Sequence, residues 1–314
     1  MLTTKYRLAG NQLAVVKVEP NHNLSPETKQ RIAREFNFSE TVFLHHDDPS
    51  QPPRIDIYTP VNEMDFAGHP VIGTGHVLFR QLLPGLPLPS REDREVRTLV
   101  TKVGPVVIRI HREIIRIHRE NQSVSAEIPH NVHIHSKAVS IDALGKTQAS
   151  LQGLSMKRDF PVVSIVKGVT YALVDFTDSP DMFASVAAGP SPSVDLDDGL
   201  HPSFVGAMYY RRLNIDRSQE KRVVQNLRVR MVAIDLEDPA CGSGSATVSA
   251  FLALQDGMEN GRYIFRLDQG SEIGRQSYIT VEVVLNASGD GVESVFLAGQ
   301  AVVTMSGSLY LPGP

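Results

Sequence analysis

Two segments of this chain, separated by about 174 residues, follow the same order of strand, glutamate, glycine-containing loop and helix. Residues 57–78 and 232–252 superpose at this constant offset, which brings Gly68 onto Gly242. One repeat of this length predicts two related lobes and not a solenoid, because solenoid repeats are short, about 20–50 residues, and occur in series. A length of 314 residues agrees with two lobes, since one simple core is commonly smaller.

The composition excludes several classes of protein. Hydrophobic residues make up 41% and charged residues 21%, which is typical of a globular chain and argues against disorder. A formal net charge of −4 leaves no excess of basic residues for phosphate groups, so we expect no nucleic-acid partner. The single cysteine excludes an intramolecular disulfide and a cysteine-based metal site. Because no long apolar run occurs, we expect a soluble, cytoplasmic protein without a membrane partner.

Strand-like patterns outnumber helical ones along the chain. A helix is expected from Pro26 to Phe36, because Ser25 is a suitable N-cap and proline suits the first helical position. Two further helices are expected near Gly68 and Gly244. The proline-, glycine- and aspartate-rich segment 187–203 is predicted to be a loop. Strands are predicted at residues 13–18, 41–44, 54–59, 106–119, 124–128, 162–166, 171–176, 204–211, 227–234, 263–267, 278–285 and 298–305.

Both glycine-containing loops of the repeat lead into a helix, at residues 68–70 and 242–244. Free backbone N–H groups and the positive end of a helix dipole converge at such a point, which suits a carboxylate or a phosphate. Two such junctions that face each other would hold a small anion from both sides. Ordinary turn glycines at two helix starts are the alternative. Neither segment is a phosphate-binding loop, since no glycine-lysine-serine or glycine-lysine-threonine sequence occurs.

Glu40 and Cys241 are the candidates for acid–base chemistry. Glu40 lies between a helix and a strand with apolar neighbours, so burial should raise its pKa toward the range useful for proton transfer. A solvated glutamate at a strand start is the alternative. Cys241 precedes Gly242, where the helix dipole lowers the pKa of a thiol, while Asp238 raises it, so that the two effects nearly cancel. Cys241 is therefore either a reactive thiol or a small buried side chain.

The histidines predict no metal site. His133 and His135 would share one face of a strand, but no third histidine or carboxylate ligand lies near them in the sequence. His45 and His46 would point to opposite faces.

Five ordered motifs resemble those of the phenazine-biosynthesis PhzF-like isomerases. They are IAREFNFSETVF at 32–43, FAGHPVIG at 66–73, DPACGS at 238–243, QG and GRQS within 269–277, and LAGQAVV at 297–303. The family is similar to diaminopimelate epimerase in architecture. The resemblance thus implies an α+β fold of two pseudo-symmetric diaminopimelate epimerase-like lobes, each a curved, barrel-like, mostly antiparallel sheet around a central helix. We expect an N-terminal lobe at 1–129, a C-terminal lobe at 130–297, and a closing strand at 298–314 that returns to the first lobe.

The resemblance also implies a cofactor-independent isomerase that moves a proton at carbon of a small carboxylate-bearing metabolite, in a cleft between the lobes. By motif, the catalytic residues are Glu40, His69 and Asp238. Substrate-binding positions are Asn11, Gly68, Gly242 and Ser243, and Cys241 is a candidate acid or base. No cofactor and no metal are expected.

Three departures from the family pattern are visible. Ala67 stands where two-thiol epimerases of this fold have their first cysteine, which excludes two-thiol racemisation. Cys241 stands where threonine is more usual in the PhzF-like pattern. Only residues 1–9 precede the motif Gly10-Asn11, where members have a fuller first strand. The chain is therefore either an incomplete gene product or lacks the outer part of that strand.

Two other functions remain open on the sequence alone. A non-catalytic protein could retain this fold to bind a small acid or a partner. A hydrolase could use Ser243 or Cys241 as its nucleophile with a distant histidine such as His201. The resemblance further implies a homodimer, and the charged strand pair at 106–128 is the candidate surface for it.

Overall fold

The computed structural model describes residues 9–19, 22–46, 48, 50–88, 90, 92–112, 122–148, 151 and 159–310. Sixteen strands form one continuous sheet and two more form a separate ribbon. Among the described residues, no helix is long and apolar enough to cross a membrane.

The described residues of the first half form seven strands and two helices, besides a single helical turn at Glu92–Arg94. In chain order they are β1 (Leu13–Val18), α1 (Pro26–Phe36), β2 (Glu40–His45), β3 (Arg54–Tyr58), β4 (Glu63–Met64), α2 (Gly68–Arg80), β5 (Val96–Thr101), β6 (Gly104–Arg112) and β7 (Gln122–Glu127).

The second half contributes eleven strands and three helices within the described ranges. They are β8 (His133–Ile134), β9 (Val139–Ser140), α3 (Ile141–Gly145), β10 (Asp159–Phe160), β11 (Val162–Val166), β12 (Val169–Asp175), α4 (Pro180–Ser185), β13 (Phe204–Gln219), β14 (Arg222–Ala233), β15 (Leu236–Asp238), α5 (Gly242–Asp256), β16 (Arg262–Gln269), β17 (Ser277–Leu285) and β18 (Val292–Gly299).

The large sheet runs in the order β1-β2-β3-β5-β6-β7-β18-β17-β16-β14-β13-β12-β11-β8, with β4 on β3 and β15 on β14. From β1 to β7, neighbouring strands in the sheet pair in the succession parallel, antiparallel, parallel, antiparallel, antiparallel. The strands from β12 to β18 repeat that succession. The two halves are joined where β7 pairs with β18.

The repeat found in the sequence corresponds to two equivalent β-hairpins in the structure, with the same offset between their paired residues. Tyr58 pairs with Glu63 in the β3–β4 hairpin, and Val232 pairs with Glu237 in the β14–β15 hairpin. A central helix follows each hairpin, α2 from Gly68 and α5 from Gly242. The same sequence distance therefore separates equivalent strand pairs and equivalent helix starts.

Each central helix is packed inside its half of the sheet. In α5 every residue from 244 to 253 is buried, and in α2 every residue from 69 to 78 is buried. A helix that is surrounded by other elements needs no polar face, which explains why small and apolar residues occupy all sides of α5. One hydrophobic cluster runs through both halves, and a second lies on the outer face of β12–β14 beneath α3 and α4.

Most predicted elements are present, but one predicted strand is absent and several observed strands were not predicted. Ser25 caps α1 as predicted, since its Oγ accepts the Thr28 N–H at 3.2 Å and Pro26 is the first helical residue. The predicted strand at 298–305 is wrong, because the last strand is β18 and residues 300–310 form no regular structure. This segment instead lies along α2, where Ala301 accepts a hydrogen bond from Arg80 at 2.9 Å. β5 was not predicted, and neither were the short strands β4, β8, β9, β10 and β15.

Part of the predicted charged strand pair lies outside the described residues. β6 ends at Arg112 and β7 begins at Gln122, and the pair forms an antiparallel ladder between them. The segment 113–121 is not among the described residues, and neither are residues 1–8.

Candidate active site

Glu40 and His69 meet where β2 begins and α2 begins. Glu40 Oε2 and His69 Nε2 lie 2.9 Å apart, and the two side chains are only 15% and 7% exposed. Neither atom makes a well-directed hydrogen bond with any described residue. The first lobe therefore contains a buried carboxylate in contact with an imidazole, and Glu40 Oε2 and His69 Nε2 can each form a further hydrogen bond.

The pKa of Glu40 is lowered, which contradicts the expectation from sequence. Burial pushes this pKa upward, but the charge and close contact of His69, helped by Ser39, outweigh burial. The sequence could show the apolar neighbours of Glu40 but not the imidazole, which comes from another element. At neutral pH Glu40 is therefore a carboxylate, the form that accepts a proton.

The pKa of Asp238, at the end of β15, is shifted in the opposite direction from that of Glu40. Its Oδ1 accepts hydrogen bonds from Asn11 Nδ2 at 3.0 Å and from the Ala240 N–H at 2.8 Å. Burial raises the pKa of Asp238 to about 6; the Ala240 N–H and His69 act in the lowering direction, and Glu40 acts in the raising direction. The two catalytic carboxylates predicted from sequence thus share one environment and differ in proton affinity.

Asn11 connects the two halves of the site. While its amide nitrogen donates to Asp238, its Oδ1 accepts a hydrogen bond from Ser39 Oγ at 2.9 Å. Ser39 directly precedes Glu40, so one buried asparagine spans the positions of both carboxylates. Nearby, Arg275 donates from Nε and Nη2 to the carbonyl oxygen of Gly10 at 2.9 and 2.6 Å. These contacts hold the first lobe against the second at the site.

The N-termini of α2 and α5 abut each other, as the paired glycine junctions predict. A Cβ placed on Gly242 would lie 3.9 Å from the Gly68 Cα, and a Cβ on either glycine would lie within 2.7 Å of Leu297 Cδ2. A side chain at either position would therefore have to displace the end of the Leu297 side chain. The backbone N–H groups of Gly68, His69, Gly242 and Ser243 precede the first intrahelical bonds and donate to no described residue. The positive ends of two helix dipoles converge here.

Cys241 is the N-cap of α5. Its Sγ accepts the Gly244 N–H at 3.3 Å, the position at which serine, threonine or aspartate usually caps a helix. Burial, followed by the charge of Asp238, raises the pKa of this thiol to about 12. The expected cancellation of two small effects is therefore wrong, because burial dominates both. The thiol is protonated at neutral pH.

Ser243 and Cys241 share a hydrogen-bonding partner that the sequence did not indicate. The Tyr171 hydroxyl, on β12, lies 2.7 Å from Ser243 Oγ and 3.3 Å from Cys241 Sγ. A buried tyrosine hydroxyl usually has a hydrogen-bond partner. This general tendency was the only indication in the sequence that Tyr171 could contact the site. Ser243 thus contacts a tyrosine and not a histidine, so the structure offers no support for a serine or cysteine hydrolase.

Gln269 was also missed as a functional position, although its motif was noted. Its Oε1 accepts the Cys241 N–H at 3.0 Å and its Nε2 donates to the Asp238 carbonyl at 2.7 Å. The side chain therefore fixes the loop that carries Asp238 and the start of α5.

The eight candidate residues predicted from sequence all lie in this one region, just before β1, at the start of β2, at the end of β15 and at the starts of α2 and α5. They are Asn11, Glu40, Gly68, His69, Asp238, Cys241, Gly242 and Ser243. His133 and His135 lie elsewhere, and a carboxylate from a distant part of the chain approaches them, although none is near them in the sequence. Asp197 reaches His133 from the loop 187–203, with its Oδ2 2.8 Å from His133 Nε2.

Comparison with known proteins adds an independent observation. A family model described as PhzC-PhzF, phenazine biosynthesis-like protein, matches residues 3–307. The chain belongs to the PhzC-PhzF family. An uncharacterized isomerase of Mesorhizobium japonicum is 30% identical over 321 residues, which cover 98% of this chain and 96% of the relative. The trans-2,3-dihydro-3-hydroxyanthranilate isomerase of Pseudomonas aeruginosa is 29% identical, with 97% of this chain and 95% of the relative covered.

The fold is likewise that of the family. A Bacillus anthracis PhzF-family structure superposes with a TM-score of 0.69 at 19% identity and covers 95% of this chain and 93% of its own. The predicted family, the fold of two related lobes and the general class of isomerase are therefore confirmed.

Proposed function

We propose that this isomerase transfers a proton at carbon of a small carboxylate-bearing metabolite, bound where α2 and α5 meet. The observation that supports this most directly is the pair of carboxylates whose pKa values are shifted in opposite directions. The pKa of Glu40 is lowered, and that of Asp238 is raised to about 6. Titratable groups with separated pKa values in one site are the usual arrangement for an acid and a base.

In this proposal, Glu40 accepts the proton from the substrate carbon, and protonated Asp238 serves as the acid. His69 contacts Glu40, orients its carboxylate and relays protons. Asn11 holds Asp238 in place through its amide nitrogen. All proton transfers use side chains of this chain, so the proposal requires no cofactor.

The substrate carboxylate is assigned to the uncapped N–H groups of the two helix starts. The backbones of Gly68 and Gly242 lie close together, and the Ser243 hydroxyl lies 2.7 Å from the Tyr171 hydroxyl. Dipoles arranged before the reaction stabilise both an anionic substrate and the charge that develops when a proton leaves carbon.

Deuterium exchange in heavy water tests the proposal. The enzyme is incubated with a panel of β,γ-unsaturated acids, α-amino acids and trans-2,3-dihydro-3-hydroxyanthranilate, and incorporation at carbon is followed by NMR. Catalysis predicts exchange in at least one acid of the panel. A non-catalytic binding protein predicts binding of a small acid without exchange, and that outcome would reject the proposal.

Glu40→Gln identifies the base. Loss of a positioned acid–base group costs about 10²–10⁴-fold in rate, so the variant should be nearly inactive while it still folds. Glu35→Gln is the matched control, because Glu35 is exposed on α1 and the same chemical change there should leave the rate unaltered. Wild-type turnover in Glu40→Gln would exclude Glu40 as the base.

We also propose that the protein is a homodimer. The support is the family resemblance alone, and light scattering at micromolar concentration tests it, since a monomeric mass would contradict it.

A further inference from the structure

A chain of three polar side chains runs from the interior of the second lobe to the start of α5. The Tyr171 hydroxyl lies 2.7 Å from Ser243 Oγ and 3.3 Å from Cys241 Sγ, and Ser243 Oγ is 3.6 Å from Cys241 Sγ. Tyr171 is 1% exposed and Cys241 is 5% exposed, whereas Ser243 is only half-buried. Ser243 is therefore the member of this chain that can contact a bound molecule.

All three groups carry a hydrogen at neutral pH. Burial raises the pKa of the Tyr171 hydroxyl well above its ordinary range, and burial raises the pKa of the Cys241 thiol to about 12. The Ser243 hydroxyl also has one hydrogen to donate. The direction in which each hydrogen points therefore decides what Ser243 offers to a ligand.

The Tyr171 hydroxyl donates its hydrogen to Ser243 Oγ. The alternative acceptor is Cys241 Sγ, but sulfur is a weak acceptor and this atom already accepts the Gly244 N–H at 3.3 Å. A separation of 2.7 Å between the two hydroxyl oxygens is the usual length of an O–H···O hydrogen bond. A phenol is also more acidic than an aliphatic hydroxyl, which makes Tyr171 the better donor of the pair. The Cys241 thiol can in turn donate to the Tyr171 oxygen.

This direction leaves the hydrogen of Ser243 available for a ligand. Among the described residues, Ser243 Oγ makes hydrogen-bonding contacts with Tyr171 and Cys241 alone. Because it accepts from Tyr171, its own hydrogen turns away from that ring. The backbone N–H groups of Gly242 and Ser243 also donate to no described residue. Three donors thus collect at the positive end of the α5 dipole, an arrangement that suits an anionic oxygen.

We propose that Tyr171 is a positioning residue for the substrate. By donating to Ser243 Oγ, its hydroxyl turns the Ser243 hydrogen toward the substrate carboxylate. The inference rests on the part of the proposed function that assigns a carboxylate to this point. Tyr171 itself does not touch the substrate and transfers no proton. A hydroxyl that rotates freely has three staggered positions, so fixing one of them in advance strengthens binding by about threefold or more.

Tyr171→Phe tests the proposal, because it removes the hydroxyl and keeps the ring. Isothermal titration calorimetry gives the Kd of each acid in the exchange panel, and KM and kcat are measured for every acid that exchanges. We expect Kd and KM to rise at least about threefold. The value of kcat should change less, since the hydrogen bond to the carboxylate is present before the reaction as well as during it.

Tyr263→Phe is the matched control. Tyr263 is buried to a similar degree, and its hydroxyl donates to Asp256 at 2.7 Å, at the other end of α5. The control removes a buried tyrosine hydroxyl from the same lobe without touching the site, so it should lower the melting temperature but leave Kd and KM unchanged. Thermal melts of all variants confirm that they fold.

Ser243→Ala shows whether Tyr171 acts through Ser243. A hydrogen bond to a charged group contributes about tenfold or more to binding, so Ser243→Ala alone should weaken acid binding by about that factor. In this background, Tyr171→Phe should cause no further rise in Kd, because the hydroxyl that it positions is absent. Effects that multiply in the double variant would overturn the proposal, and so would an unchanged Kd in Tyr171→Phe.

Binding and exchange together separate this inference from the proposed function. If Tyr171→Phe weakens acid binding but no acid exchanges at carbon, the positioning role is supported and the isomerase proposal fails. If acids exchange and Tyr171→Phe leaves Kd and KM unchanged, the isomerase proposal is supported and Tyr171 is a structural contact only. Absence of binding by every acid of the panel would overturn the assignment of Ser243 and this inference with it.

Discussion

Asp238→Asn should remove one limb of the pH dependence of the reaction. With a pKa of about 6, Asp238 is half protonated at that pH and only about 1% protonated two units higher. If protonated Asp238 is the acid and ionised Glu40 the base, kcat/KM is highest between the lowered pKa of Glu40 and about 6. It then falls about fifty-fold over the next two units.

The asparagine variant keeps the local structure but cannot supply the proton. Its Oδ1 can still accept the hydrogen bonds from Asn11 and Ala240. We expect kcat/KM to fall about 10²–10⁴-fold and the limb near pH 6 to disappear. Exchange rates measured from about pH 4.5 to about pH 8.5 provide the profile. Asp235→Asn, an identical change at an exposed turn position, is the control.

Folding stability tests the same pKa without any substrate. Asp238 has its pKa raised from 3.8 to about 6, so its folded form binds the proton more tightly than the unfolded form. That contribution is complete below 3.8 and is lost as the pH rises to about 6, by about 3 kcal/mol in total. Asp238→Asn should therefore gain stability relative to wild type across this window. A pH-independent difference, together with an unchanged rate limb, would refute the assignment.

Further substitutions test how the site and its surroundings are built. Cys241→Thr should keep wild-type turnover because threonine also caps α5, whereas Cys241→Ala should lose about 1 kcal/mol of unfolding free energy in urea denaturation. Arg230→Ala should cost about 3–5 kcal/mol, because it leaves Glu237 buried without its partner at 2.6 Å, and a smaller loss would show that water reaches that carboxylate. Gly68→Ala should cost about 1–3 kcal/mol through contact with Leu297, and adding Leu297→Ala should recover part of the loss if that contact is the cause.

Features that depend on neighbouring residues or on the repeat could be read from the sequence. Ser25 and Pro26 specify the start of α1 through local hydrogen bonding and a fixed φ. The repeat placed Gly68 and Gly242 at equivalent helix starts, and the abutting of α2 and α5 follows from the pseudo-symmetry of the two halves.

Features that depend on a distant partner could not be read in this way. The pKa of Glu40 follows from His69, and the environment of His133 follows from Asp197, which lies 64 residues further along the chain. The strand predicted at 298–305 does not form, and at this segment Ala301 accepts a hydrogen bond from Arg80, 221 residues earlier in the chain. Spacing and composition carry no information on which elements become neighbours across such separations.

The pairing of β18 with β7 has a consequence for the order in which the protein acquires activity. Contacts at the site join residues that are far apart in the chain, 227 positions for Asn11 and Asp238 and 265 for Gly10 and Arg275. Loop closure over such distances is slow, and proteins dominated by non-local pairing fold slowly. During refolding, the strands of each half can pack around their own central helix early. Glu40 and Asp238 come together only after β18 has paired with β7. Recovery of catalysis should therefore lag behind recovery of secondary structure.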